Sequence, residues 1–169
     1  MNRYNCIPLI AAALAGCASP QYLPPSSGPT ASLRLVKHPT METIAFVYKD
    51  SKDCRDRYEL MGIRDTTDKV IKVAANTLVT ASVMMPEAHL NLRLVGSPAV
   101  LIGTSKCQTI STFFAEEGGH YIVRTTVEPN ECVQRVSRLV DGLEIPVEAK
   151  ARQFSRAWTE QGSWCEVQP

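Results

Sequence analysis

The 169-residue sequence predicts a mainly β fold, an antiparallel β-sandwich with short helical turns at most. Three observations carry that expectation. Short runs rich in β-branched and aromatic residues recur along the chain, among them IAFVY (44–48), TLVTASVMM (77–85) and YIVRTTV (121–127). Gly, Pro and Asn punctuate them at near-regular spacing. No segment sustains a long helical period, and no internal repeat of helical or blade-like length is present, so strands must supply the core.

The elements follow in chain order. Residues 1–16 carry one charge, Arg3, then an apolar run from Ile7 to Leu14 and a small-residue site, which is the order of a secretory signal. The apolar run is far shorter than the roughly 20 residues a membrane-spanning helix needs. LAGC (14–17) matches all four positions of the bacterial lipoprotein lipobox, which it resembles in depth behind the apolar run as well. That resemblance implies cleavage between Gly16 and Cys17, with Cys17 acylated as the first residue of the mature chain. Each buried methylene contributes about 0.8 kcal/mol, so two or more acyl chains anchor the protein stably in a membrane. Ala18 and Ser19 lack the aspartate that retains such proteins at the inner membrane, so the expected site is the outer membrane, facing the periplasm.

Residues 17–31 then read as the lipidated cysteine followed by a Pro- and Ser-rich tether, able to reach roughly 40 Å if fully extended. Residues 32–169 form the single predicted domain. Leu33 and Leu35 alternate with Arg34 and Val36 before Pro39 interrupts. The charged stretch KDSKDCRDRYELMG (49–62) reads as a loop with a helical turn, solvated and pinned by Cys54. VIKVAA (70–75), TLVTASVMM and HLNLRLV (89–95) are separate strands, divided by Pro86 and Gly96; Leu90, Leu92 and Leu94 share one face of the last.

CQTISTFFAEEGGHYIVRTTVEPNEC (107–132) reads as a hairpin. Ile110, Thr112 and Phe114 share a face, as do Tyr121, Val123, Thr125 and Val127, and Gly118-Gly119 supplies the turn. CVQRVSRLVDG (132–142) fits a helix capped by Asn130 and ended by Gly142, or a strand; its β surroundings favour the strand. Pro146 places LEIPVEAKARQF (143–154) at a sheet edge. Trp158 and Trp164 are candidates to seal one end of the core, with Cys165 pinning the tail.

Cysteine usage bears on compartment. With Cys6 in the signal and Cys17 on lipid, Cys54, Cys107, Cys132 and Cys165 remain, an even set that reads as two disulfides. Three connectivities are open. The pairing Cys107–Cys132 with Cys54–Cys165 is preferred, because the 107–132 hairpin brings its two cysteines to one end of a sheet. A four-thiolate zinc site lacks any C-x-x-C pair.

The 100–142 region, with Phe113 and Phe114, Gly118 and Gly119, then Tyr121 and a following cysteine, resembles a broad set of uncharacterised bacterial envelope lipoproteins with small β-sandwich domains of immunoglobulin- or transthyretin-like type. The resemblance brings no catalytic residues with it. The lipidated β-sandwich subunit of type VI secretion systems is related in architecture, though no motif identifies it.

Chemistry is sparse. Loss of Arg3 takes Lys plus Arg from 18 to 17, matching the 17 acidic residues, so no basic excess holds nucleic acid. His38, His89 and His120 fit no metal-ligand spacing, and Glu116, Glu117 and His120 read as a polar turn. GTSKC (103–107) is a loop rather than a nucleophile elbow, and phosphate-loop patterns are absent. No catalytic residue, metal or cofactor is expected. The expected function is that of a lipid-anchored binding or scaffolding module whose partners are the membrane and other envelope proteins. The alternatives are a secretion-system assembly lipoprotein and an envelope hydrolase or peptidoglycan-binding factor. A hydrolase, unlike a binding module, would lose activity on single substitution of one of the three histidines.

Overall fold

A computed structural model describes residues 21–93, 100–129 and 131–166. Ten strands make two five-stranded sheets packed face to face, and no helix occurs among the described residues. They are β1 (Thr30–Leu35), β2 (Ile44–Asp50), β3 (Arg55–Met61), β4 (Lys69–Ala74), β5 (Thr77–Arg93), β6 (Val100–Ala115), β7 (His120–Val127), β8 (Cys132–Val140), β9 (Leu143–Pro146) and β10 (Ala149–Arg152). One sheet has the order β4-β1-β7-β8-β9 and the other β10-β6-β5-β2-β3. The mainly β sandwich read from the sequence is the architecture found.

Alternation decides which side chains go in. Ala31, Leu33 and Leu35 of β1, Val79, Ala81, Val83 and Met85 of β5, and Tyr121 and Val123 of β7 are buried between the sheets. Alternate positions of the same strands face outward, as the two-residue period of a strand requires. The strand reading of 132–140 is the one observed, and β9 with Pro146 is an edge strand, as expected.

The hairpin read over 107–132 is not formed. β6 and β7 lie in different sheets, and residues 116–119 carry the chain across the sandwich. Alternation fixes which face is buried but not which strand lies alongside, so the same pattern serves a hairpin and an arch. Phe113 and Tyr121 meet across the core with ring centroids 5.1 Å apart. Gly119 is what allows it, because a Cβ there would lie 2.5 Å from the Tyr121 ring. The ring folds back beneath the turn, and its hydroxyl oxygen accepts the Glu116 N–H at 2.8 Å. The tight hairpin is instead β8–β9, where Asp141 and Gly142 both adopt positive φ (50° and 82°), the two-residue geometry that matches strand twist.

Four further expectations are corrected. Residues 49–62 are not a loop with a helical turn: β2 runs to Asp50, a tight turn follows, and β3 occupies the edge of its sheet. Charge hid this strand, which an edge position tolerates. GTSKC lies within β6 rather than in a loop. One pair, β1 with β7, is parallel, because the N-terminal strand enters its sheet at the end where the chain returns from the 116–119 crossing. Ser32 N–H to Gly119 O (2.8 Å) and Gly118 N–H to Thr30 O (2.9 Å) fasten that junction. Finally, folded structure starts before residue 32. β1 begins at Thr30, Ala31 is in the core, and Tyr22 packs edge-on against Tyr58 while its hydroxyl donates to Lys72 O at 2.7 Å.

Residues 153–166 cover the outer face of the second sheet. Trp164 and Cys165 join Tyr48, Cys54 and Ile110 in a second, smaller core, with Phe154 and Ala157 against it. Of the two tryptophans, Trp164 seals a core and Trp158 is fully exposed.

Candidate functional site

The expected lipidation and cleavage residues, Gly16 and Cys17, lie outside the described residues. The other four cysteines pair as Cys54–Cys165 and Cys107–Cys132, each with Cα atoms 5.7 Å apart. The preferred pairing is found, for a different reason than the one that suggested it. Cys107 is on β6 and Cys132 on β8, so the bridge joins the two sheets instead of closing the end of one. Cys54–Cys165 clamps the C-terminal segment onto the turn after β2.

Gln21, Tyr22, Leu23 and Pro25 line a hollow of about 570 Å³ together with Val47, Tyr58, Val73 and Val79, and with Lys49 and Lys52 at the β2–β3 connection. Tyr48, at the edge of this hollow, is buried and bonds Ser82 Oγ at 2.9 Å. Burial drives its hydroxyl up to about 12, against smaller opposing effects of the Ser82 hydrogen bond and the Arg57 charge. Because the folded value exceeds the ordinary value of 10, its contribution is fully present below pH 10. That contribution is lost as pH rises towards 12. We expect stability to fall by about 2 to 3 kcal/mol across this window, from two pKa units at 1.36 kcal/mol each. Denaturant melts at stepped alkaline pH check this; in a Tyr48→Phe variant that part of the slope should vanish.

The most unusual feature for a small sandwich lies at the other end. β5 and β6 pair over fifteen positions, from Thr77↔Ala115 to Arg93↔Val100. β2 accompanies β5 only at Ala81–Met84, and β10 accompanies β6 only at Ile110–Phe113. The six pairs from Ala88↔Ser105 to Arg93↔Val100 therefore have no flanking strand among the described residues. They form a two-stranded arm roughly 17 Å long, from five steps of about 3.4 Å. The register shifts between Met85 and Ala88, so Pro86 and Glu87 oppose one residue of β6. A bulge at this point accommodates a proline, which has no N–H to give to the ladder. TLVTASVMM and HLNLRLV are thus one strand, not two. Which faces Leu90, Leu92 and Leu94 take lies outside the described residues.

The three histidines do not converge. His38 organises the β1–β2 crossing: its Nδ1 accepts the N–H groups of Met41 (3.2 Å) and Thr40 (3.4 Å). Partial burial, with the Lys37 charge, holds it below the usual imidazole value. His89 is in the arm opposite Thr104, and His120 opens β7 with its side chain exposed. Glu116 is engaged by Arg138, while the Glu117 N–H donates to Asn76 Oδ1 at 3.3 Å. Among the described residues no three His, Cys, Asp or Glu side chains are grouped to hold a metal ion.

Sequence reading missed the arm because Pro86 reads as punctuation; the signal that remains is hydrophobic alternation on both sides of it. Comparison with protein-family models, with curated proteins and with solved structures found no match to this chain.

Proposed function

We propose that this protein is a lipid-anchored binding or scaffolding module of the cell envelope, held by acyl chains on Cys17 at the outer membrane and facing the periplasm. It meets other envelope proteins through the β5–β6 arm. The arm is the observation that carries the reading: six strand pairs, flanked by no other strand of the described residues, present the main-chain donors and acceptors by which a partner strand is added to a sheet. Two disulfides that use every cysteine after Cys17 support an oxidising compartment.

Two measurements test it. Mass spectrometry of membrane-extracted protein is expected to find an N-terminus at Cys17 with added acyl mass; an unmodified start elsewhere removes the anchor. Replacing residues 88–105 by an Asn-Gly turn is expected to leave stability within about 1 kcal/mol, because no other strand of the described residues pairs with the arm. The same change should abolish cross-linking to envelope proteins in intact cells. Cross-linking undiminished by the replacement would defeat the arm's role.

A further inference from the structure

A cavity of about 640 Å³ lies against β8 on the side towards β10, lined by Gln134, Val136, Pro146, Val147 and Ala149 together with polar side chains of β7, β8 and β9, Arg124 and Glu144 among them. Gln134 faces inward, being two residues from the core residue Val136 on the same strand. Both its carboxamide atoms are buried, and neither has a hydrogen-bond partner among the described residues. The neighbouring hydroxyls are already engaged: Thr125, opposite Gln134 in register, bonds Thr109 at 3.2 Å. Leaving a buried amide without partners is costly, so such a group calls for a physical reason.

The main chain beside it is open as well. β9 pairs with β8 only at Ser137–Val140, and its last bond is Val147 N–H to Val136 O at 3.0 Å. The chain then leaves for β10 in the other sheet. N–H and C=O groups alternate sides along a strand, so Gln134 and Cys132 present theirs to the same side as Val136. No strand of the described residues takes them up. The gap from Cys132 to Val136 spans four residues, roughly 13 Å at 3.3 Å each, enough for about three residues of an added strand.

From this convergence we infer that the notch beside β8 binds an extended peptide segment. The segment lies in line with β9, its main chain held by the Gln134 backbone and carboxamide together. The carboxamide suits this ligand because it offers a donor and an acceptor side by side, matching the N–H and C=O of a peptide unit. A carboxylate or an ammonium would satisfy only one of the two. The apolar part of the lining, Val136, Val147 and Ala149, then takes one side chain of modest size, with Arg124 and Glu144 beside it. None of the residues that form the site belongs to the arm or to the N-terminal segment, so a chain shown to lack lipid, or to lose its arm, still presents it.

The test is amide NMR of residues 18–169, which hold all ten strands and both bridges. The probe is the blocked pentapeptide Ac-Thr-Val-Thr-Val-Thr-NH₂. Saturable shifts of the Gln134 side-chain and main-chain amides are expected, and a peptide N-methylated at its central residues should not produce them. Gln134→Leu is expected to weaken binding at least tenfold while melting no lower than the parent, because it removes an unpartnered buried amide. Gln134→Glu, which keeps an acceptor and drops the donor, should weaken binding as well and melt lower. The inference is overturned if the Gln134 resonances stay put, or if the N-methylated peptide binds equally well. A Gln134→Leu variant several degrees less stable than the parent would overturn it too, since the carboxamide would then be serving the fold.

Discussion

Replacing Cys54 and Cys165 together by alanine is expected to lower stability by about 5 kcal/mol, more than the loss of the other bridge. The bridge links positions 111 apart in sequence, and closing so long a loop removes much of the unfolded chain's freedom. The Cys107–Cys132 bridge spans 25 positions, for which the same entropy gives about 3.5 kcal/mol. Packing widens the gap. Cys54 and Cys165 belong to the small core with Tyr48, Ile110 and Trp164, which has little else to close it, whereas Cys107 and Cys132 sit within the main core between two hydrogen-bonded sheets. At about 3 °C per kcal/mol for a domain of this size, the melting temperature should fall by about 15 °C for the first pair and about 10 °C for the second. Thermal melts of the two double-alanine variants check the ranking; a larger fall for Cys107→Ala with Cys132→Ala would show that tying the sheets together matters more than fixing the C-terminal segment.

The same contrast shows what the sequence makes legible. Two-residue alternation reports burial, so the inward sets of β1, β5 and β7 and the strand nature of β8 are readable from their side chains alone. It says nothing about which strand lies beside which. That is why 107–132 looked like a hairpin: Phe113 and Tyr121 are correctly placed on buried faces, but they meet across the core instead of within one sheet. β3 was hidden for a related reason. Arg55, Asp56, Arg57 and Glu59 read as solvated loop; pairing with β2 and the C-terminal segment, more than a hundred residues away, together make a strand there favourable. Pro86 marks a true break in hydrogen bonding, which a bulge absorbs without ending the strand. The site was less legible than the fold. Cysteine pairing followed from counting, but an open strand edge and an unpartnered glutamine carry no local signature. Gln134 becomes notable only when its neighbours prove to be Thr125 on one side and, on the other, no paired strand among the described residues.

Arg57 is where the dependence of β3 on the C-terminal segment concentrates, and Arg57→Ala is expected to cost about 3 kcal/mol. Its guanidinium carbon lies over the rings of both Phe46 and Trp164, at 4.0 Å and 3.4 Å from their centroids. Nε and an Nη of the same group donate to Glu160 at 2.7 Å and 2.8 Å, and the Arg57 N–H donates to Glu160 O. The side chain is only 11% exposed, so these contacts are largely shielded from water. Removing it strands a partly buried carboxylate and uncovers two rings, each effect costing a kcal/mol or more. Arg57→Lys should recover little, because an ammonium neither stacks on a ring face nor forms a two-point contact with a carboxylate. The loss is expected to appear first as opening of residues 155–163 while Cys54–Cys165 still holds the far side, so limited proteolysis should cut that segment well below the global melting temperature. If Arg57 and the bridge secure one cooperative unit, the triple variant lacking Arg57, Cys54 and Cys165 should cost clearly less than the sum of its parts, since the segment can be released only once. Strict additivity would instead mean that the bridge and the guanidinium hold separate pieces of the C-terminal cover.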